Sequence, residues 1–267
     1  KHGIPLVVDA TFATPYLCKP IQHGADVVVH SVTKWIGGHG VAVGGVVIDG
    51  GNFDWLASGR FPTLTEPYAP FHGMNFWEEF GPSALAMRIR CESMRDIGAA
   101  MSPQNAFLLL QGLETLNLRM QQHVDNAKSL MTWLQEQDAV AWVNHPDLDH
   151  NPSQAVAAEL FPKGAGSMLS FGVKGGREAG AAFIDALQLS SNLANVGDSR
   201  TLVLHPGSTT HSRLNEDELA AAGISGDLIR VSVGIESFKD IKADFAGGLR
   251  AAAKAAAKAE ELAVQAK

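Results

Sequence analysis

The sequence predicts an α/β fold, and two observations carry that expectation. Short apolar runs rich in β-branched residues, Ile4-Pro5-Leu6-Val7-Val8-Asp9 and Val27-Val28-Val29-His30-Ser31, end in polar groups and glycine-rich loops, as buried strands of an α/β sheet do. Between and after such runs lie stretches with helical spacing of apolar residues, at 82–101, 105–137, 177–187 and 237–249. The 267 residues suffice for one large domain or two modest ones.

In chain order, 4–11 reads as a first strand and 16–25 as a loop and turn punctuated by Gly24. The run from Val27 is a second strand, and Gly37-Gly38-His39-Gly40 is the loop it feeds. Residues 43–49 are a third strand, closed by the Gly50-Gly51 turn. Residues 53–81 carry Pro62, Pro67 and Pro70 among Trp55, Tyr68, Phe71, Phe76 and Trp77. A long irregular segment of this kind is functional or oligomeric, or a surface loop packed by its own aromatics. Ser102-Pro103 is a helix start, an N-cap followed by proline at the first helical position. Residues 105–137 then read as a helix or helix pair, with Gly112 as a possible break, bridging a first domain at 1–137 to a second at 138–252. Asn144-His145-Pro146 and Asn151-Pro152 mark 140–161 as loop. Strands at 167–173, 202–204 and 228–233 form a small sheet, with helices at 177–187 and 237–249. Residues 253–267 have high helix propensity and read as an exposed helical tail without chemistry.

Composition excludes several classes. Hydrophobic residues are 46% and charged residues 18%, so a sizeable core is available. The net charge is −7 and no long basic run occurs, which argues against nucleic acid as a partner. No apolar run approaches the ~20 residues of a membrane-spanning helix. Cys18 and Cys91 make neither a disulfide framework nor a zinc pattern, and suit the reducing cytoplasm. The scattered histidines, His30 among them, read as structural; no metal is expected.

The polar ends of the first two strands carry the chemistry. Asp9 closes one, and Ser31, Thr33 and Lys34 close the other. In open α/β sheets, ligands sit beyond the carboxyl ends of strands. Ser31 and Thr33 alternate along an extended chain and so share a face. Two hydroxyls and an amine suit an anionic head, and a lysine there can form an imine with an aldehyde. A carboxylate, two hydroxyls and a lysine on one rim match pyridoxal phosphate. The same residues also suit a solvated strand end, with Asp9 capping a turn and both hydroxyls satisfied by backbone. Further on, Arg230 interrupts the apolar run Leu228-Ile229-Arg230-Val231-Ser232-Val233. A guanidinium there is costly unless paired, either with a substrate carboxylate, which its planar fork matches, or in a structural ion pair.

The segment VVDATFATPYLCKPIQHGADVVVHSVTKWIGGHG resembles the Cys/Met-metabolism family of pyridoxal-phosphate enzymes. The likeness continues through SPQNAFLLLQGLETLNLRMQQHVDNA, NVGDSRTLVLHPGSTTHSRL and GISGDLIRVSVGIES. The resemblance implies the type I aminotransferase-like fold: a mostly parallel large sheet domain, partial here, and a smaller C-terminal α/β domain. It implies Lys34 as the catalytic lysine, Asp9 at the cofactor ring nitrogen, Thr11 near the cofactor, Ser31 and Thr33 on its phosphate, and Asn195, Val196 and Arg230 at the substrate. Two departures stand out: family members usually carry Asn at the position of Ala10, and many carry Ser at that of Asn195. Within the family the chain is most similar to the O-acetylhomoserine sulfhydrylase branch. That implies γ-replacement on O-acetyl-L-homoserine by sulfide or a thiol. O-succinylhomoserine sulfhydrylase, cystathionine γ-synthase and methionine γ-lyase activities share the same residues, and an inactive C-terminal fragment is the non-enzyme alternative. The resemblance further implies an N-terminal remainder as partner, and a homodimer or homotetramer.

Overall fold

A computed structural model of the chain describes residues 2–265, apart from the side chain of Glu216. The chain divides into two compact units, Lys1–Glu114 and Thr115–Lys267. The division falls ahead of the expected 137/138 boundary, because the helix Leu116–Gln135 counts with the second unit.

The first unit is built on a three-stranded sheet of order β1-β2-β3, with β1 Val7–Asp9, β2 Val27–Ser31 and β3 Gly45–Asp49. β1 pairs parallel to β2 and β3 pairs antiparallel to it, so these described strands contribute one pairing of each kind. The triple-valine strand is central: Val27, Val28 and His30 are buried, while Val7 on β1 is 56% exposed. Ala10, Ala25 and Val28 form a small core with Val8, Ile21 and Ile48 against it. The proline- and aromatic-rich stretch after β3 is not irregular. It is a run of short helices, Trp55–Ser58, Pro62–Thr65, Ala69–Phe71 and Phe76–Phe80. Two of them carry proline in the first turn, where its missing N–H costs nothing. The aromatics pack on one another; Trp55 meets Phe53 and Phe61 edge-on at centroid distances of 4.7 and 5.0 Å. A helical stretch follows, with a π-helical turn at Ile89–Met94, and ends at Gly98, whose φ of 74° stops it. The helix α1 spans Pro103–Glu114, and its Ser102 hydroxyl accepts the Asn105 amide at 3.2 Å, as a cap should.

The second unit opens with α2, Leu116–Gln135. Its sheet has the order β4-β5-β8-β7-β6, with β4 Val140–Asn144, β5 Met168–Val173, β6 Ser191–Asn192, β7 Leu202–Leu204 and β8 Leu228–Ser232. β4 and the helix Gln154–Leu160 correct the reading of 140–161 as loop. The turn signals there are real but lie between elements, and β4 is held by its pairing with β5. One sheet face is the core. Leu169, Phe171 and Val173 of β5 and Ile229 and Val231 of β8 pack with Ala127, Leu130 and Leu134 of α2. Helices α3, Gly176–Asp185, and α4, Phe238–Gln265, add Phe183, Ile241, Phe245 and Leu249. Burying each such side chain stabilises by roughly 1.5–3 kcal/mol. The closing helix and the expected tail are thus one continuous helix. Its packing extends past 252, since Ala256 lies against the same core. Strand alternation puts Ser170, Arg230 and Ser232 on the opposite sheet face.

Candidate active site

The parallel register sets Asp9 level with Val29, so the carboxyl ends of β1 and β2 lie side by side. The corner after Asp9 is then tied to β2 at several points. The Ala10 amide donates to the Val29 carbonyl at 3.0 Å. The Ser31 amide donates to the Thr11 hydroxyl at 2.8 Å, and the Thr11 amide donates to Asp9 Oδ1 at 2.9 Å. The Thr11 side chain also hydrogen-bonds Asp9, and these two contacts hold the carboxyl below its ordinary range. Thr11 therefore couples Asp9 to Ser31. Behind them His30 is only 5% exposed. Burial pushes its pKa down, against the pull of the Ala10 carbonyl and of Asp9, and its Nδ1 has no hydrogen-bond partner.

Past β2 the chain makes tight turns around Lys34. Its amide donates to the Ser31 carbonyl at 3.2 Å, and its carbonyl accepts from Gly38 at 2.7 Å. Trp35 is fully buried and meets Phe12 edge-on at 5.1 Å, joining this turn to the corner after β1. Gly112 turns out not to be a break. It lies buried within α1, and a β-carbon there would sit 2.3 Å from the Gly37 carbonyl oxygen and 2.7 Å from that of Ile36. Only glycine lets α1 back onto the lysine turn this closely.

The Thr33 hydroxyl is engaged by backbone. It donates to the Gly44 carbonyl at 3.2 Å and accepts the Gly44 amide at 3.0 Å. A hydroxyl has one proton to donate, and here backbone takes it. Ala10 is a departure in side-chain chemistry. Its methyl belongs to the core cluster with Ala25 and Val28, so this position offers a ligand no polar group.

In the second unit, Arg230 stands opposite Ser170 in the β5–β8 register. It is half-buried, and burial lowers its pKa. Among the described residues no carboxylate pairs with it. Arg230 Nη2 donates to the Asn195 carbonyl at 3.4 Å. Asn195 is half-buried and Val196 is buried beside it.

Pyridoxal phosphate requires an ionised carboxylate for its ring nitrogen, an amine for its aldehyde and donors for its phosphate. The first unit fits on the chemistry of its donor set: Asp9 is held ionised, Ser31 is pinned next to it through Thr11, and Lys34 stands in the adjoining turn. Fold and donor set together fit the type I architecture of pyridoxal-phosphate-dependent proteins. The chain belongs to the Cys/Met metabolism PLP-dependent enzyme family, whose profile matches residues 1–250. It is 50% identical to homocysteine synthase of Schizosaccharomyces pombe over 252 residues, 94% of this chain and 59% of that protein. It is 48% identical to O-acetyl-L-homoserine sulfhydrylase 1 of Thermus thermophilus over 245 residues, 91% of this chain and 58% of that protein. The crystal structure of a putative O-acetylhomoserine (thiol)-lyase from Campylobacter jejuni, which contains N'-pyridoxyl-lysine-5'-monophosphate, superposes with a TM-score of 0.87 at 38% identity. The match covers 93% of this chain and 59% of that one. The chain thus spans under two thirds of the length of these relatives.

Asp9, Thr11 and Ser31 are brought into one network next to Lys34, and Arg230 joins Asn195 in the second unit. The sequence did not single out Gly112 as a close-approach residue, or Ser232. The alternation that places Ser232 on the face of Arg230 was a usable signal.

Proposed function

We propose that this chain is part of an enzyme that replaces the acetoxy group of O-acetyl-L-homoserine with sulfide or a small thiol, giving homocysteine or a thioether and acetate. The carrying observation is the network in which Thr11 ties an ionised Asp9 to Ser31, beside the turn that presents Lys34. The names of the relatives support the choice of substrate. When bound, pyridoxal phosphate supplies a sink for the charge that develops at the substrate Cα. Asp9 offsets the positive charge at the ring nitrogen and keeps its proton in place. Ser31 donates to the phosphate. With the cofactor present, Lys34 would be the residue that holds its aldehyde, and the Lys34 amine would be the base that moves protons at the substrate Cα and Cβ. Arg230 grips the substrate carboxylate, with Asn195 and Val196 forming the adjacent loop.

O-succinylhomoserine sulfhydrylase, cystathionine γ-synthase and methionine γ-lyase chemistry would use the same residues. Steady-state comparison of O-acetyl- and O-succinyl-homoserine with sulfide separates them, and the reading requires the acetyl ester to win. Borohydride reduction and peptide mapping must place the pyridoxyl group on Lys34; another lysine overturns the site. The whole protein is proposed to be cytoplasmic and to assemble as a homodimer or homotetramer. No described helix is long and apolar enough to cross a membrane. The second reading is that this chain alone is an inactive fragment rather than one acting jointly with a further polypeptide. A yellow sample with a co-purifying second polypeptide supports joint action; a colourless single polypeptide supports the fragment.

A further inference from the structure

β8 holds the loop 195–197 at two points. Arg230 Nη2 donates to the Asn195 carbonyl at 3.4 Å. Two residues on, the Ser232 hydroxyl oxygen accepts the Gly197 amide at 3.0 Å. Residues two apart on a strand share a face, so both contacts leave the same side of β8. Ser232 is 1% exposed and Val196, between the two contacts, is buried. Gly197 has a φ of 77°, where the chain reverses its course in a way that suits glycine.

The strand behind this contact is itself fixed. Past Ser232, the Val233 carbonyl accepts from His123 Nδ1 at 2.7 Å, and Asn126 Nδ2 donates to the Gly234 and Glu236 carbonyls at 3.0 and 2.8 Å. Glu236 takes the Thr201 amide and hydroxyl at 2.6 and 2.9 Å, and the Ile235 amide donates to the Ser199 carbonyl at 2.8 Å. These contacts secure the far end of the loop, at 199–201. Its near end, at 195–197, meets β8 through Arg230 and Ser232. Arg230 has a second task in the proposed reaction, because its guanidinium must turn to a carboxylate. Ser232 has none, since its oxygen is buried against the loop backbone.

We propose that Ser232 is a positioning residue for substrate binding: its hydroxyl fixes the height of 195–197 so that Arg230 can engage the carboxylate of an amino acid without losing the loop. This rests on the reading of Arg230 given above. Loss of the hydroxyl leaves a buried amide unsatisfied and frees the loop.

The test uses the full enzyme loaded with pyridoxal phosphate and titrated with L-2-aminobutyrate, which has no leaving group. The change in cofactor absorption reports binding without turnover. Ser232→Ala is expected to weaken this binding roughly tenfold and to raise KM for the acyl-homoserine by the same factor. It should leave cofactor loading intact and kcat within about twofold. Ser232→Thr, which keeps the hydroxyl, should restore binding. Unchanged affinity in Ser232→Ala, or a fall in kcat with KM unchanged, overturns the proposal. Amide hydrogen exchange in the unaltered enzyme tests it without a variant: Gly197 must be protected like the β8 amides, and free exchange there overturns the contact. Arg230→Lys separates the two levels. If it leaves aminobutyrate binding unaffected, the reading of Arg230 fails; if only Ser232→Ala does so, the positioning role fails.

Discussion

Gly112 and Gly37 meet so closely that the α1 backbone lies directly on the turn carrying Lys34; a methyl group at 112 would stand 2.3 Å from the Gly37 carbonyl oxygen. The turn is anchored on its other side by Trp35, which is fully buried. Gly112→Ala should therefore displace the turn, destabilise by about 1–3 kcal/mol and lower cofactor loading. Leu110→Ala is the control, since Leu110 on the same helix is 57% exposed. Bound-cofactor absorbance and thermal melts of both variants decide; normal loading in Gly112→Ala would show that the turn does not need α1.

Thr11 is in hydrogen-bond contact with both Asp9 and the Ser31 amide. Thr11→Val keeps the shape and removes both hydroxyl contacts. Cofactor affinity should fall by about tenfold, as expected when a buried donor loses its partner. Thr11→Ser should retain most of it. Dissociation of the cofactor, followed by dialysis and absorbance, reads the difference.

Ser31 and Thr33 should separate cleanly. Thr33→Val leaves the Gly44 amide without its acceptor, while the Gly44 carbonyl keeps the Thr33 amide at 3.4 Å, so it should cost about 1 kcal/mol of stability with little direct effect on phosphate affinity. Ser31→Ala should do the reverse. Urea unfolding without cofactor, set beside pyridoxal-phosphate titration, gives two numbers per variant, and the same ratio for both variants would defeat the distinction.

Asp9→Asn should harm turnover more than binding. The amide nearly matches the carboxylate in shape but cannot offset a pyridinium charge, so a loss of ~10²–10³ in kcat is expected with the cofactor still loaded. Arg230→Lys loses a bidentate grip and should mainly raise KM. Normal turnover by a fully loaded Asp9→Asn enzyme would reduce Asp9 to a turn cap.

His123 predicts an acid limb of stability. It is fully buried in α2, and burial holds its pKa down to about 4, from an ordinary value of 6.5. The unfolded chain therefore binds a proton that the folded chain refuses. Its contribution is complete above about pH 6.5 and is lost as the pH falls from there to about 4, by an amount on the order of 3 kcal/mol. Denaturant midpoints at about pH 7 and about pH 5 should show this, and His123→Gln should flatten the slope.

The strands β2, β5 and β8 were legible because their apolar runs are strong enough to stand without context. So was the rim, since Asp9, Ser31 and Lys34 combine types that one cofactor demands together. What was not legible depends on pairing across the chain. Val140–Asn144 is short and flanked by turn residues, and it becomes a strand only through β5. Thr33 gives its proton to a carbonyl eleven residues away. Gly112 looked like a helix breaker because sequence order does not reveal which backbone will press against a helix. The 114/115 division was hidden for a related reason, since continuous helical spacing does not show to which body a helix adheres.

Thr14 sits just beyond the corner that follows Asp9, fully buried, with a φ of 55°. For a β-branched residue that conformation costs on the order of 1–3 kcal/mol. Its amide nevertheless reaches the Ala10 carbonyl at 2.9 Å, and its hydroxyl accepts the Tyr16 amide at 3.3 Å. Glycine would relax the backbone here but would give up the hydroxyl and leave a void in a packed place. Durability and accuracy therefore pull in opposite directions at this position. A search for a hardier enzyme that reached Thr14 would be drawn toward a softer corner, and the carboxylate five residues earlier would lose its fixed aim.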